Sequence, residues 1–175
     1  MVNWSYFPKT DPLPIQLESS ISIFNNHLVE IDSSQNDTNA LRLSSDKVLS
    51  VVANDFMQAG FDVETGKKKE QKVRGPVLFG HQGSVAQAFE VDGYNNEHKI
   101  VLEIEGGRAY TNYQFLKDIF EASVMVDVEY LVLAVRTIYN NHEDYNKITD
   151  WLETLFVTRR IQYKGSFRPT AWCQG

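Results

Sequence analysis

The segment Tyr130-Leu131-Val132-Leu133-Ala134-Val135 is apolar without alternation, and no other stretch constrains the fold as much. A strand with one face in water alternates apolar and polar side chains, so a strand without alternation is covered on both faces. Such a strand needs helices above and below it, which makes the chain an α/β protein. The helices are legible elsewhere. Leu17, Ile21, Phe24 and Leu28 recur at helical spacing and predict a helix over about 15–30. Ser44-Ser45-Asp46 is a start signal for a second, which carries Val48, Val52 and Phe56 and stops at Gly60. Leu116, Ile119, Phe120 and Ser123 predict a third over about 112–125, and Tyr145, Ile148, Leu152, Leu155 and Phe156 a last one.

Between the helices lie the partners of the buried strand. Phe61-Asp62-Val63 reads as a short strand, and Val85–Val91 and Ile100–Glu105 as a hairpin turning at Gly93-Tyr94-Asn95-Asn96. Thr65–Gly83 has no sustained period and reads as a basic loop or hairpin inserted into the fold, a length of connection that is usually functional or disordered. Pro8, Pro12 and Pro14 with Trp4, Tyr6 and Phe7 make the first 14 residues an extended arm that packs on something. Ser33–Asn39 is a polar loop, and the tail predicts one more strand around Ile161-Gln162-Tyr163. The expectation is one domain over 1–175, a mixed central sheet flanked by helices, with an arm and helix over 1–32, a core over about 44–136 and a helix and tail over 144–175.

Composition narrows the setting. With 42% hydrophobic and 12% aromatic residues the chain buries a real core, which excludes disorder and fibres. No apolar run approaches the ~18 residues needed to span a bilayer, and Met1-Val2-Asn3-Trp4 lacks the order of a signal peptide. A soluble, cytoplasmic protein without a membrane partner is expected. The lone cysteine, Cys173, rules out an intramolecular disulfide and a cysteine-based zinc site. A net charge of -6 argues against a wholly basic nucleic-acid coat protein, but not against a DNA enzyme whose basic residues line one cleft.

The chemistry is carried by carboxylates on a strand. Alternation puts Ile100, Leu102 and Ile104 on one face and Val101, Glu103 and Glu105 on the other, with the two glutamates ~7 Å apart. Asp92 closes the preceding strand, and a hairpin turn brings it back toward Glu103. Three converging carboxylates with no local Lys or Arg between them repel one another, and a divalent cation with oxygen preference, such as Mg2+, relieves that. A solvated strand face is the plain alternative. Gly106-Gly107 follows at once, as a turn or as an open approach for a ligand.

Val91-Asp92, an eleven-residue step, and Glu103-Ile104-Glu105 on an apolar strand, followed by a helix and a buried strand, resemble the core of the PD-(D/E)xK nuclease superfamily. The resemblance spans about 44–136 and implies an α-β-β-β-α-β core. It departs from the common pattern at two positions. Val91 stands where a Pro is usual, and Glu105 stands where the family carries Lys, which makes the match most similar to type II restriction endonucleases of the BamHI and BglII type. The resemblance implies a Mg2+-dependent endonuclease acting on double-stranded DNA as a homodimer. Asp92, Glu103 and the Ile104 carbonyl would be its metal ligands, and Glu105 would act on the attacking water. Asp55 and Glu64 are upstream acids that would complete the site, although ordinary surface acids describe both as well.

Lys67, Lys68, Lys69, Lys72 and Arg74 form a basic run that would reach phosphates, or else a solvated loop. Arg108, with Tyr110, Thr111, Asn112 and Tyr113, is a second candidate contact surface for DNA. His27, His81, His98 and His142 lack metal-ligand partners at helix spacing and read as structural or surface residues. Two other functions compete: a catalytically inactive DNA-binding relative, in which Glu105 marks lost activity, and a hydrolase using Glu103 and Glu105 as an acid and base on a sugar.

Overall fold

The computed structural model describes residues 1–31, 43–107, 109–137 and 143–158, and the backbone of 168–174. Its strands are β1 (Asn3–Tyr6), β2 (Asp62–Val63), β3 (Val73–Phe79), β4 (Val85–Val91), β5 (Gly93–Asn95), β6 (Ile100–Glu105), β7 (Tyr130–Arg136) and β8 (Arg168–Gln174). Its helices are α1 (Glu18–Asn26), α2 (Leu28–Ile31), α3 (Ser45–Gln58), α4 (Gln114–Val124) and α5 (Asp144–Thr158), with short 3-10 turns at Ile15–Leu17, Lys69–Gln71 and His81–Gly83. Six strands make a mixed sheet in the order β1-β8-β7-β6-β5-β2, and β3 and β4 pair separately. The centre is parallel, β6 on β7 on β8, and the outer pairings are antiparallel. Among the described residues no helix is long and apolar enough to cross a membrane.

The doubly covered strand is β7, and its alternate side chains divide the core in two. Val132 and Ala134 join Ile100, Leu102 and Ile104 of β6 under Phe24, Val48, Val52 and Phe56 of α1 and α3. Leu131, Leu133 and Val135 join Val101 under Phe115, Ile119 and Ala122 of α4 and Ile148 and Leu152 of α5. Each fully buried Leu, Ile, Val or Phe contributes ~1.5–3 kcal/mol, so the two layers account for most of what holds the sheet between helices. The α3 boundaries follow from its sequence. The Ser44 side chain accepts from the Lys47 N–H, and the chain leaves the helix through Gly60 at φ 87, in the left-handed region glycine tolerates.

Several expectations are corrected. The helix expected over 15–30 is a 3-10 turn followed by α1 and α2, broken at His27. The break follows weak helix formers, Asn25 and Asn26, and the His27 ring bonds Glu30 through Nδ1 at 3.1 Å and Asp55 through Nε2 at 2.9 Å. Of the two readings of Thr65–Gly83, loop or hairpin, the hairpin holds for its second half, where β3 pairs with β4 from Val73↔Val91 to Phe79↔Val85. β4 is thus not the hairpin partner of β6. That partner is β5, so Gly93–Asn95 is strand and the turn lies at 96–99. The N-terminal arm does pack on something, as β1, along β8. The observed tail strand is 168–174, while Ile161–Tyr163 and Ser33–Asn39 lie outside the described residues.

One contact sets the position of the acidic strand end. Ser45 Oγ, in the first turn of α3, accepts from the Gly106 N–H at 2.7 Å. A Cβ at Gly106 would stand 2.4 Å from the Ser45 nitrogen and 2.9 Å from the Ser44 carbonyl carbon, both backbone atoms that cannot swing aside. Gly106→Ala is therefore expected to lower unfolding stability by ~1–3 kcal/mol in a urea titration. An unchanged midpoint would show that the junction between β6 and α3 yields freely.

Candidate active site

Asp92 occupies the point where the chain passes from the two-stranded sheet into the six-stranded one. Its backbone carbonyl accepts from the Glu64 N–H at 2.8 Å, and its side-chain Oδ2 accepts from the Ile104 N–H at 2.8 Å. The carboxylate thus takes over the ladder bond that β5 would have made had it continued. Within a strand the N–H and C=O of one residue point to the same edge, so the Ile104 carbonyl also opens toward Asp92. The Ile104 side chain turns away into the α3 layer.

Glu103 and Glu105 share the opposite face with Val101, as the alternation predicts, and lie beside Leu133 and Val135 of β7. That face is roofed by α4. Burial pushes Asp92 up to about 6 and Glu105 up to about 7, each raised further by negative neighbours, with the Ile104 N–H holding Asp92 back. Burial lifts Glu103 well above the carboxylate range, with Asp92, Asp118 and Glu105 adding to the shift. The charges of Glu64 and Asp46 also bear on Asp92, and Lys72 opposes them. Among the described residues, no three acidic, histidine or cysteine groups are gathered around a single point where a metal ion would sit.

Two residues of this centre escaped the sequence reading, and both are on α4. Asp118 is only 4% exposed, between the core residues Phe115 and Ile119 and Ala122. Its Oδ2 has no hydrogen-bond partner among the described residues, and burial with the nearby Glu105 pushes it up to about 8. Lys117 is half-exposed, paired with Glu121 at 3.3 Å, and its charge lowers the shifts of Glu103, Glu105 and Asp118. The strand itself offers no Lys or Arg between the carboxylates, and the ammonium beside them comes from the roof helix. The signal was present, because Phe115, Asp118, Ile119 and Ala122 repeat at helical spacing with one acid in an otherwise apolar stripe.

The other candidates fall in different places. Asp55 is bonded to His27, away from the acidic centre, whereas Glu64 borders it and is held by Lys72 at 2.7 Å. Lys72 is thereby engaged inside the protein. Lys67 is 85% exposed and pairs with Asp46 at 3.3 Å. Lys68, Lys69 and Arg74 are exposed, Arg74 standing opposite Glu90 in the β3–β4 ladder. Arg108 and His142 lie outside the described residues, and His81 is exposed at the tip of the β3–β4 hairpin. Thr111, Asn112 and Tyr113 are exposed, while Tyr110 is partly covered, with Lys147 over its ring at 4.9 Å. No protein-family model matches the chain, and no curated protein matches it in sequence.

The raised carboxyls have a measurable consequence. A carboxyl whose folded-state value lies above its unfolded one stabilises the fold when protonated, and that contribution is lost as pH rises toward the folded value. For Glu105 the window runs from its ordinary 4.5 to about 7. In chelator, Glu105→Gln should therefore melt near the wild-type temperature at pH 5 and above it at pH 8. Melting curves that stay parallel across this range would remove Glu105 from the buried cluster.

Proposed function

We propose that this chain is a Mg2+-dependent deoxyribonuclease with a restriction endonuclease-like core, cutting double-stranded DNA as a homodimer. The observation that carries the reading is the bond from the Ile104 N–H to Asp92, which ties a strand-ending aspartate to the residue between two glutamates. The order α3, β2, β5, β6, α4, β7 supports it, since β2, β5, β6 and β7 are consecutive neighbours in the sheet. That is the α-β-β-β-α-β order of the nucleases the sequence resembles, with the β3–β4 hairpin inserted before the aspartate.

The donor set suits a hard cation. Asp92, Glu103 and the Ile104 carbonyl are all oxygen donors, and their neighbours Glu105 and Asp118 add negative charge that Lys117 and, at Asp92, Lys72 offset in part. When bound, the cation supplies Lewis acidity and a readily deprotonated water. The protein's own groups do the rest. Glu105, raised to about 7, is matched to accepting a proton from the attacking water near neutral pH. Lys117 brings the positive charge that the residue at 105 does not, and is the group to oppose charge building on the phosphate. The exposed Lys67, Lys68, Lys69 and Arg74 would hold the DNA backbone; the solvent-exposed pair of Lys67 with Asp46 is weak enough for phosphate to displace.

Glu105 in the lysine position also favours a second reading, a DNA-binding relative that does not cut. Plasmid cleavage in Mg2+ and Mn2+, set beside duplex binding under the same conditions, separates the two: binding without cleavage in either metal would establish the inactive relative.

Asp92→Ala and Glu103→Ala should each abolish cleavage with the fold retained; Asp92→Ala also strips the Ile104 N–H of its acceptor and should melt below Glu103→Ala. Glu105→Gln should keep DNA binding and slow single-turnover hydrolysis by ~100-fold or more as the base is lost. Normal cutting by either alanine variant defeats the ligand assignment, and full activity in the Gln variant takes Glu105 out of the base role.

Alanine at Lys67, Lys68 and Lys69 together should weaken duplex binding and flatten its dependence on salt. An unchanged slope of log affinity against log salt returns these lysines to bulk solvent.

A further inference from the structure

A buried carboxylate is costly unless something in the protein repays it with hydrogen bonds or opposite charge. Asp118 Oδ2 receives no hydrogen bond among the described residues, and the charge of Lys117 offsets its burial only in part. The nearest ammonium, on Lys117, is turned to Glu121 at 3.3 Å, and no described residue donates to Asp118 Oδ2. The position itself is a core position. Phe115, Ile119 and Ala122, three before, one after and four after it, are all packed in the α4 layer against Val101 and Leu133 of the sheet. An apolar residue at 118 would continue that stripe. The sheet face under this stripe is the one that carries Glu103 and Glu105 beside Val101, Leu133 and Val135, and the charges of Glu105 and, more weakly, Asp92 act on Asp118.

We infer that Asp118 is the α4 contribution to the same cation centre, holding a cation-bound water rather than the cation itself. The inference rests on reading Asp92 and Glu103 as metal ligands. The outer position follows from two facts. Among the described residues no three acidic groups are gathered about one point, and Mg2+ is characteristically bound by one or two carboxylates while it keeps several waters. A water on such an ion is a strong donor with both hydrogens available, which is what an unpartnered, buried carboxylate oxygen lacks. Groups of this outer kind orient the ligands they touch, and their loss typically weakens metal affinity 10–100-fold.

The test is a Mn2+ titration of the full chain, read from the free-ion electron paramagnetic resonance signal, without DNA or turnover. Asp118→Asn should bind Mn2+ at least ~10-fold more weakly than wild type. Asp118→Leu, which continues the apolar stripe, should bind as weakly and melt higher than wild type in chelator; it keeps the test decisive should the Asn variant not fold. Asp92→Asn serves as the reference. Wild-type Mn2+ affinity in both Asp118 variants, with affinity lost in Asp92→Asn, overturns the role of Asp118 alone. If wild type itself takes up no Mn2+, the metal-centre reading falls and takes this inference with it.

Discussion

Like charge buried beside like charge is the constraint around which the structure is organised. One face of β6 is wholly apolar and is consumed by α3, so Glu103 and Glu105 must face α4. There they meet Asp118 from above and Asp92 from the start of β5, with the ammonium of Lys117 and, at Asp92, that of Lys72 set against them. The cluster is tolerated because its members do not ionise together: Asp92 sits at about 6, Glu105 at about 7 and Asp118 at about 8. Near neutrality the centre therefore stores protons. On the metal-centre reading a cation enters by displacing them, so affinity for the ion would rise with pH across this range.

Much of this was legible in the sequence wherever the deciding physics is local. The unbroken apolar run of β7 demanded helices on both sides, and the two-residue period of β6 put Glu103 and Glu105 on one face. Ser44 and Gly60 marked the ends of α3 because capping and left-handed backbone are properties of single residues. What was not legible depends on partners far away in the chain. The period of Val85–Val91 marks a strand but does not say whether it pairs forward with Ile100–Glu105 or backward with Val73–Phe79. On α4, Leu116 and Phe120 supported one stripe and Phe115, Ile119 and Ala122 another. The sheet chose the second, leaving Phe120 61% exposed and Asp118 inside.

The basic run shows the same division. Its four lysines, Lys67, Lys68, Lys69 and Lys72, look equivalent as a string, yet the structure separates them by exposure. The 3-10 turn at Lys69–Gln71 returns Lys72 to Glu64, beside the backbone of Asp92, where it supports the site from within. Lys67 remains at the surface, reaching the first turn of α3 through Asp46. Charge count alone treats the two alike; the bond to a half-buried Glu64 makes one structural and leaves the other available.

The far edge of the sheet bears on how the molecule assembles. Among the described residues β1 pairs in the sheet with β8 alone, with Asn3 opposite Cys173 and Tyr6 opposite Thr170. β1 thus has no strand to pair with until β8 has been made and laid along β7. Loop closure of that span is entropically expensive, and contacts of such high sequence separation slow folding. Until β8 arrives, β7 offers an unpaired edge, the kind of surface on which nascent chains pair with one another. The acidic centre on β6 lies on the other side of β7 and draws its partners from β2 to α4, so its assembly does not wait for the edge to close.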